Sequence, residues 1–228
     1  MSRSIKIHFV NENDFDLNIY FWGSFSLKDE GIHLSPHDEL LKSGSIGFST
    51  SNFFNSQMIF KGLFLDSVKS YPIIFSLTNE KSPQKGIVNK DLKSLQSGFY
   101  VIDNNNELSE VKNIIEIKNL FPSKNIVIKN ISDANSLKEI EKQSFPPSTT
   151  ISWWSLIADT NNLELDDIGW KVDPPLGSKE NRDFLIKGLE KDLIHAIAVN
   201  SIALNDEDTF VPINDRPLGI SSFELVLS

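Results

Sequence analysis

Short apolar runs of about four to seven residues alternate along this chain with amphipathic stretches, and no other feature restricts its fold as strongly. Strands buried on both faces read as continuous apolar runs, while the helices that cross between them place apolar residues three and four apart. The strand candidates are LNIYFWGSF (17–25), SIGFST (45–50), PIIFSL (72–77), NIVIKNI (125–131), TTISWW (149–154) and AIAVNS (196–201). Helical stretches fall between them. SPHDELLKSG (35–44) takes Ser35 as N-cap, Pro36 at the first helical position and Gly44 as its stop. FNSQMIFKGLFLDSVKS (54–70) reads as one helix, and LSEVKNIIEIKNLF (108–121) places Leu108, Val111, Ile114, Ile115 and Leu120 on one face before Pro122 ends it. ANSLKEIEKQ (134–143) and ENRDFLIKGLEKDL (180–193), the latter opened by Ser178, complete the set. Strand and helix in alternation predict an α/β fold with a parallel sheet of about six strands. That approaches the eight strands of a (β/α)₈ barrel, which typically needs roughly 250 residues.

A length of 228 residues with 39% hydrophobic content supports a single domain over 1–228. The formal charge of −9 opposes nucleic acid and anionic membrane surfaces, and the mixed signs of KEIEKQ (138–143) are those of a solvated helix face. The absence of cysteine excludes disulfides, thiolate nucleophiles and Cys-type zinc sites. Neither a signal-peptide core nor an apolar run of membrane-spanning length is visible, so a cytoplasmic chain is expected.

His33 and His37 are four apart, a spacing that can hold zinc on a helix, but Pro36 starts the helix between them and no HExxH acid accompanies them, so a solvated cap is expected. His8 stands alone, and His195 precedes its strand, where a structural role is the default. Asp206, Glu207 and Asp208 lack the spacing and glycine of a calcium loop and read as solvated loop. Trp153 and Trp154 on a strand would face opposite sides, one into the core and one toward helices or an interface. No nucleophile elbow, phosphate loop or dinucleotide fingerprint is present.

The tail WKVDPPLGSKENRDFLIKGLEKDLIHAIAVNSIALNDEDTFVPINDRPLGISSFELVL (170–227) resembles the C-terminal barrel segment of the dihydroorotase branch of the cyclic amidohydrolases, especially its cyanobacterial members. That branch has a D/N-PPL loop, a D-R helix, a strand reading DAIAxDHAP and a loop ending PPGxxGLExxLP. YFWGSFSLKDEG (20–31) is similar to its third strand and following loop, and SGSIGFST (43–50) to its fourth. The resemblance implies a metal-dependent (β/α)₈ barrel that reversibly closes carbamoyl aspartate to dihydroorotate in pyrimidine synthesis. Such chemistry uses zinc to bring the pKa of a bound water from 15.7 to about 7, and a carboxylate to take its proton.

Carried onto this sequence, the family positions are occupied by the wrong chemistry. The chain aligns from the third strand, so no residue matches the H-x-H of the first. The bridging acid of the fourth strand falls on Thr50, the histidine of the fifth on Ser76, that of the sixth on Val127, and the proton-accepting acid of the eighth on Asn200, with Ser201 beside it. Valine has no lone pair, a neutral hydroxyl is a poor zinc ligand, and an amide does not take up a proton near neutral pH. No metal site, no catalytic residue and no cofactor are therefore expected. The loops that line the substrate pocket in active relatives persist as Asp173, Pro174, Pro175, Leu176 and Gly177, and as Arg216, Pro217, Leu218, Gly219 and Ile220.

The expected fold is thus an incomplete (β/α)₈ barrel, strands three to eight of the family pattern without its small β domain. Barrels remove sheet edges by closing, so such a chain must close with a gap, pair with another copy or recruit a partner. IKIHFV (5–10) is a candidate for one extra edge strand. The resemblance implies a catalytically silent dihydroorotase homologue, a homo-oligomer or a scaffold for aspartate transcarbamoylase, as inactive relatives are. The alternatives are a zinc dihydroorotase completed by another polypeptide and a gene remnant.

Overall fold

The computed structural model describes residues 19–29, 31–50, 56–77, 88–89, 95, 101–102, 105–163, 170–202, 204–211 and 216–221. His8 and the IKIHFV segment lie outside them. Six strands form one sheet in the order β1-β2-β3-β6-β7-β8, with helices in the crossovers, the expected α/β pattern of a partial (β/α)₈ barrel. The chain divides into two compact units, Met1–Ser76 with Phe121–Val127, and Leu77–Leu120 with Ile128–Ser228.

The first unit runs β1 (Phe21–Ser24), α1 (His37–Lys42), β2 (Ser45–Thr50), α2 (Ser56–Leu63), α3 (Asp66–Lys69) and β3 (Ile73–Ser76). Its strands pair in parallel, Ser24 opposite Ser49 and Thr50 opposite Phe75. Phe25, Phe48, Ile59, Ile73 and Phe75 fill its core. Gly47 is required by close approach: a Cβ there would lie 2.6 Å from the Trp22 ring and 2.7 Å from the Pro72 carbonyl. Lys124, itself buried, donates its ammonium to the Val68 and Tyr71 carbonyls and so caps the chain leaving α3.

Two expectations fail here for local reasons. The helix expected over 54–70 breaks at Leu65, which is extended (φ −72°, ψ 133°) and starts a new turn at Asp66, an acid suited to a first turn. Ser35 is not the cap of α1; Pro36 holds that position without a side-chain bond, because Ser35 is buried and donates its N–H to the Phe25 carbonyl at 3.1 Å.

The second unit opens with a pair of two-residue parallel strands, β4 (Val88–Asn89) and β5 (Val101–Ile102). Then come α4 (Asn105–Leu120), β6 (Ile126–Lys129, whose first two residues belong to the first unit), α5 (Ala134–Glu141), β7 (Ser148–Ser152), α6 (Trp154–Ile157), α7 (Lys179–Glu190), β8 (Ala196–Ala198) and α8 (Asp206–Thr209). The buried face of α4 is Val111, Ile114, Ile115 and Ile117, while Leu120, expected on it, is exposed in the last turn before Pro122. Asp133 and Ser178 cap α5 and α7 by accepting from Ser136 N–H and Asn181 N–H. Gly188 is where α7 meets α5, since a Cβ would come within 2.5 Å of Leu137.

β7 ends at Ser152, so Trp153 and Trp154 do not face opposite sides. Both turn into α6 and share one cluster with Ala158, Leu163, Val172 and Leu176, their rings 6.1 Å apart. The stretch expected as solvated loop, Asp206 to Asp208, forms a helical turn because Asn205 N–H donates to the Asp208 carboxylate at 2.9 Å. His195 has the structural role expected, its Nδ1 accepting from Thr149 N–H at 3.1 Å. β8 ends the sheet order, with Ile197 50% and Val199 41% exposed.

Candidate functional site

Catalytic groups of a (β/α) barrel sit at the carboxyl ends of its strands. In the first unit, Thr50 closes β2 as a buried residue and Ser76 closes β3 half-buried, both at strand ends as the sequence implied. Val127 is second in β6, within the strand, and the residue that leaves β6 is Asn130. Asn130 adopts φ 55°, a left-handed conformation that asparagine tolerates, and its N–H donates to Thr150 Oγ1 at 2.9 Å.

Beyond Asn130, in the second unit, lies a polar clamp that the sequence did not reveal. Glu107, in the first turn of α4, accepts from Ser132 N–H, Ser132 Oγ–H and Asp133 N–H, the last at 2.9 Å. From the other side Asn181 of α7 accepts from Ala134 N–H at 2.6 Å and donates to the Ser132 carbonyl. Burial pushes the Glu107 carboxyl up, against the pull of these donors. Glu110, one turn on, is pushed up to about 7 by burial and by Glu107. Burial likewise raises Asp133, countered by the N–H groups it caps. The cap at Ser178 was readable; the long-range partner Glu107 was not, because nothing local marks it.

At the end of β8, Asn200 is half-buried and donates its amide to Ser152 Oγ at 3.0 Å. Ser152 is fully buried at the end of β7. The pair is neutral at both ends. The two expected substrate loops do come together: Gly219 N–H donates to the Lys171 carbonyl at 2.9 Å and the Lys171 ammonium donates to the Arg216 carbonyl. Gly219 has φ 153° and no room for a Cβ, which would fall 2.7 Å from Ile202. The Asp173–Pro174 peptide is cis, and the Pro174 carbonyl accepts from Trp154 Nε1 at 3.0 Å. Pro174 and Pro175 are buried and Pro217 is exposed. Lys171 and Arg216, two buried cationic side chains beside these loops, were not singled out as a pair by the sequence.

The donor set does not fit the zinc that the family resemblance implies. Hydroxyls at Thr50 and Ser76, an aliphatic side chain at Val127 and an amide at Asn200 offer neither imidazole nor carboxylate, the groups that hold such an ion without thiolates. Among the described residues no three His, Cys, Asp or Glu side chains gather into a group able to hold a metal. No described helix is long and apolar enough to cross a membrane.

The chain is 24% identical over 220 residues to a probable dihydroorotase-like protein of Synechocystis, covering 91% of this chain and 50% of that protein. It is 24% identical over 217 residues to the dihydroorotase of Carboxydothermus hydrogenoformans, covering 91% of this chain and 49% of that one.

In sequence the chain is similar to dihydroorotases.

It spans about half the length of the curated relatives it matches. No protein-family model matches it. Among solved structures its fold is similar to that of the L-hydantoinase of Arthrobacter aurescens, with a TM-score of 0.65 at 14% identity, over 92% of this chain and 49% of that one.

Proposed function

We propose that this chain is a catalytically silent dihydroorotase homologue, a cytoplasmic protein that serves pyrimidine synthesis as a structural partner of aspartate transcarbamoylase rather than as a hydrolase. The observation that carries this reading is the Asn200–Ser152 bond. Where a hydrolase of this kind needs an anionic proton acceptor, the end of β8 holds an amide whose N–H is donated to a hydroxyl. An amide in that place neither accepts the proton of an attacking water nor neutralises a divalent ion. Losing a general base alone typically lowers a rate 10²–10⁴-fold. With Thr50, Ser76 and Asn130 at the other strand ends, a change at one position would not restore the chemistry. The loop at 173–177 supports the structural half of the reading, because Pro174 and Pro175 are buried and the Pro174 carbonyl is tied to Trp154.

The test is zinc content by elemental analysis together with dihydroorotate hydrolysis on the purified protein. Zinc well below one ion per chain and no turnover are expected. Stoichiometric zinc with turnover would establish instead an active hydrolase, completed by another polypeptide. The scaffold role is tested separately by size-exclusion chromatography with aspartate transcarbamoylase, where co-elution is expected and independent elution would remove that partner.

A further inference from the structure

His37 opens α1 in the first unit, yet it is not the solvated cap residue its position next to Pro36 suggests. It is 3% exposed. Its ring lies 5.0 Å from that of Phe25 and 4.6 Å from that of Phe48, and Nε2 donates to the Phe25 carbonyl at 3.0 Å. That bond fixes the tautomer: Nε2 carries the proton and Nδ1 keeps its lone pair. Nδ1 is buried and has no hydrogen-bond partner among the described residues. The same Phe25 carbonyl also accepts from Ser35 N–H, and Phe25 N–H donates to the Ser49 carbonyl, so the contact ties α1 to the chain leaving β1 and, through it, to β2.

Beside the ring is a surface depression of about 300 Å³ lined by Ser35, Pro36, His37, Asp38, Glu39 and Leu65. It supplies what the buried position lacks, namely water and two carboxylates. We propose that the joint between β1 and α1 is a proton-operated latch: neutral His37 closes it by bonding Phe25, and protonated His37 opens it by moving into the depression beside Asp38 and Glu39.

The groups around the ring set the direction. The chain after β1 presents a carbonyl and a phenyl ring, and β2 presents the Phe48 ring. The chain before α3 presents Leu65, while Asp66 and Lys69 of α3 pair with each other at 2.6 Å. Burial opposes the charged ring most strongly, while the Phe25 carbonyl, which accepts from Nε2–H in either protonation state, and the Asp38 carboxylate favour it by smaller amounts. Burial therefore holds His37 below the ordinary histidine value of 6.5. A second ring proton would sit on Nδ1, facing no acceptor, and the attraction of the flanking phenyl rings for a cation returns less than the hydration lost. Because the unfolded chain binds this proton more readily, the latch is closed above pH 6.5 and loosens as pH falls.

The experiment is a titration of the His37 imidazole by NMR on the whole protein, assigned by comparison with H37Q, together with amide hydrogen exchange across residues 35–41 at several pH values. A midpoint below 6.5 is expected, with protection of these amides, corrected for intrinsic exchange, falling by up to about tenfold per pH unit between 6.5 and the midpoint and levelling off below it. In H37F, which keeps a ring in the aromatic stack, the protection should not respond to pH in that range. A midpoint at or above 6.5, or a pH response unchanged in H37F, would overturn the latch. Should H37F not fold, the wild-type titration still decides.

Discussion

The two units bury polarity in opposite ways. In the first, one neutral imidazole is enclosed by two phenyl rings with a single hydrogen bond and an idle ring nitrogen. In the second, the turn after β6 is gripped by Glu107 and Asn181, which between them engage three backbone N–H groups, a hydroxyl and a carbonyl. The first arrangement is held by packing and tolerates little added charge. The second is held by complementary hydrogen bonds, and its cost appears only when one partner is removed, because the others then lie unsatisfied away from water.

The contrast can be broken by mutation, read unit by unit, since Trp22 lies in the first unit and Trp153, Trp154 and Trp170 in the second. Phe25→Ala should produce the largest loss, about 3–5 kcal/mol, because a fully buried ring is replaced by a cavity. Urea unfolding followed at Trp22 checks it, and an unchanged midpoint would remove Phe25 from the centre of that core. Glu107→Ala should cost about 1–3 kcal/mol in the second unit by stranding the donors of Ser132 and Asp133. Glu107→Gln, which keeps an acceptor oxygen, should cost less, and equal losses from the two variants would deny the clamp its hydrogen-bond origin.

pH sharpens the same contrast. Glu110 is raised from 4.5 to about 7, so the folded second unit holds its proton more tightly than the unfolded chain does. Its contribution to stability is full below pH 4.5 and is lost as pH rises through about 7. His37, lowered, works in the other direction in the first unit. Urea midpoints between pH 5 and 7.5 should therefore fall with rising pH for the second unit, and Glu110→Gln should reduce that fall without removing the part owed to Glu107 and Asp133, which burial also raises. The smallest effect belongs to Asn200→Ala, about 0.5–1.5 kcal/mol for one half-buried bond to Ser152. Asn200→Asp should not recruit zinc, a result elemental analysis can check.

The strand–helix order was legible because buried strands and amphipathic crossovers leave different periods in the sequence. β2 begins at Ser45 and ends at Thr50, as its apolar pattern predicted, and Ser178 shows how far local capping rules reach. What the sequence withheld depends on distant chain. Trp153 reads as strand until the cluster around Val172 and Leu176 turns it inward. His37 reads as surface until Phe25 and Phe48 enclose it. Glu107 and Ser132 are twenty-five positions apart, and no spacing rule connects an acid in a helix to a turn beyond the next strand. At the candidate site, the identities of Thr50, Ser76 and Asn200 were readable, whereas the place of Asn130 at the end of β6 required the strand's actual boundary.

The margin of the sheet at β8 has a practical consequence. Lone strand edges in folded proteins are commonly guarded by lysine, proline or a bulge. Among the described residues Ala196, Ile197 and Ala198 carry no such guard, and Phe210, 84% exposed, lies a short way along the chain. An unguarded seam of that kind is open to extended polypeptide, so a lysine placed at Ile197 is expected to reduce any self-association on concentration, which light scattering checks.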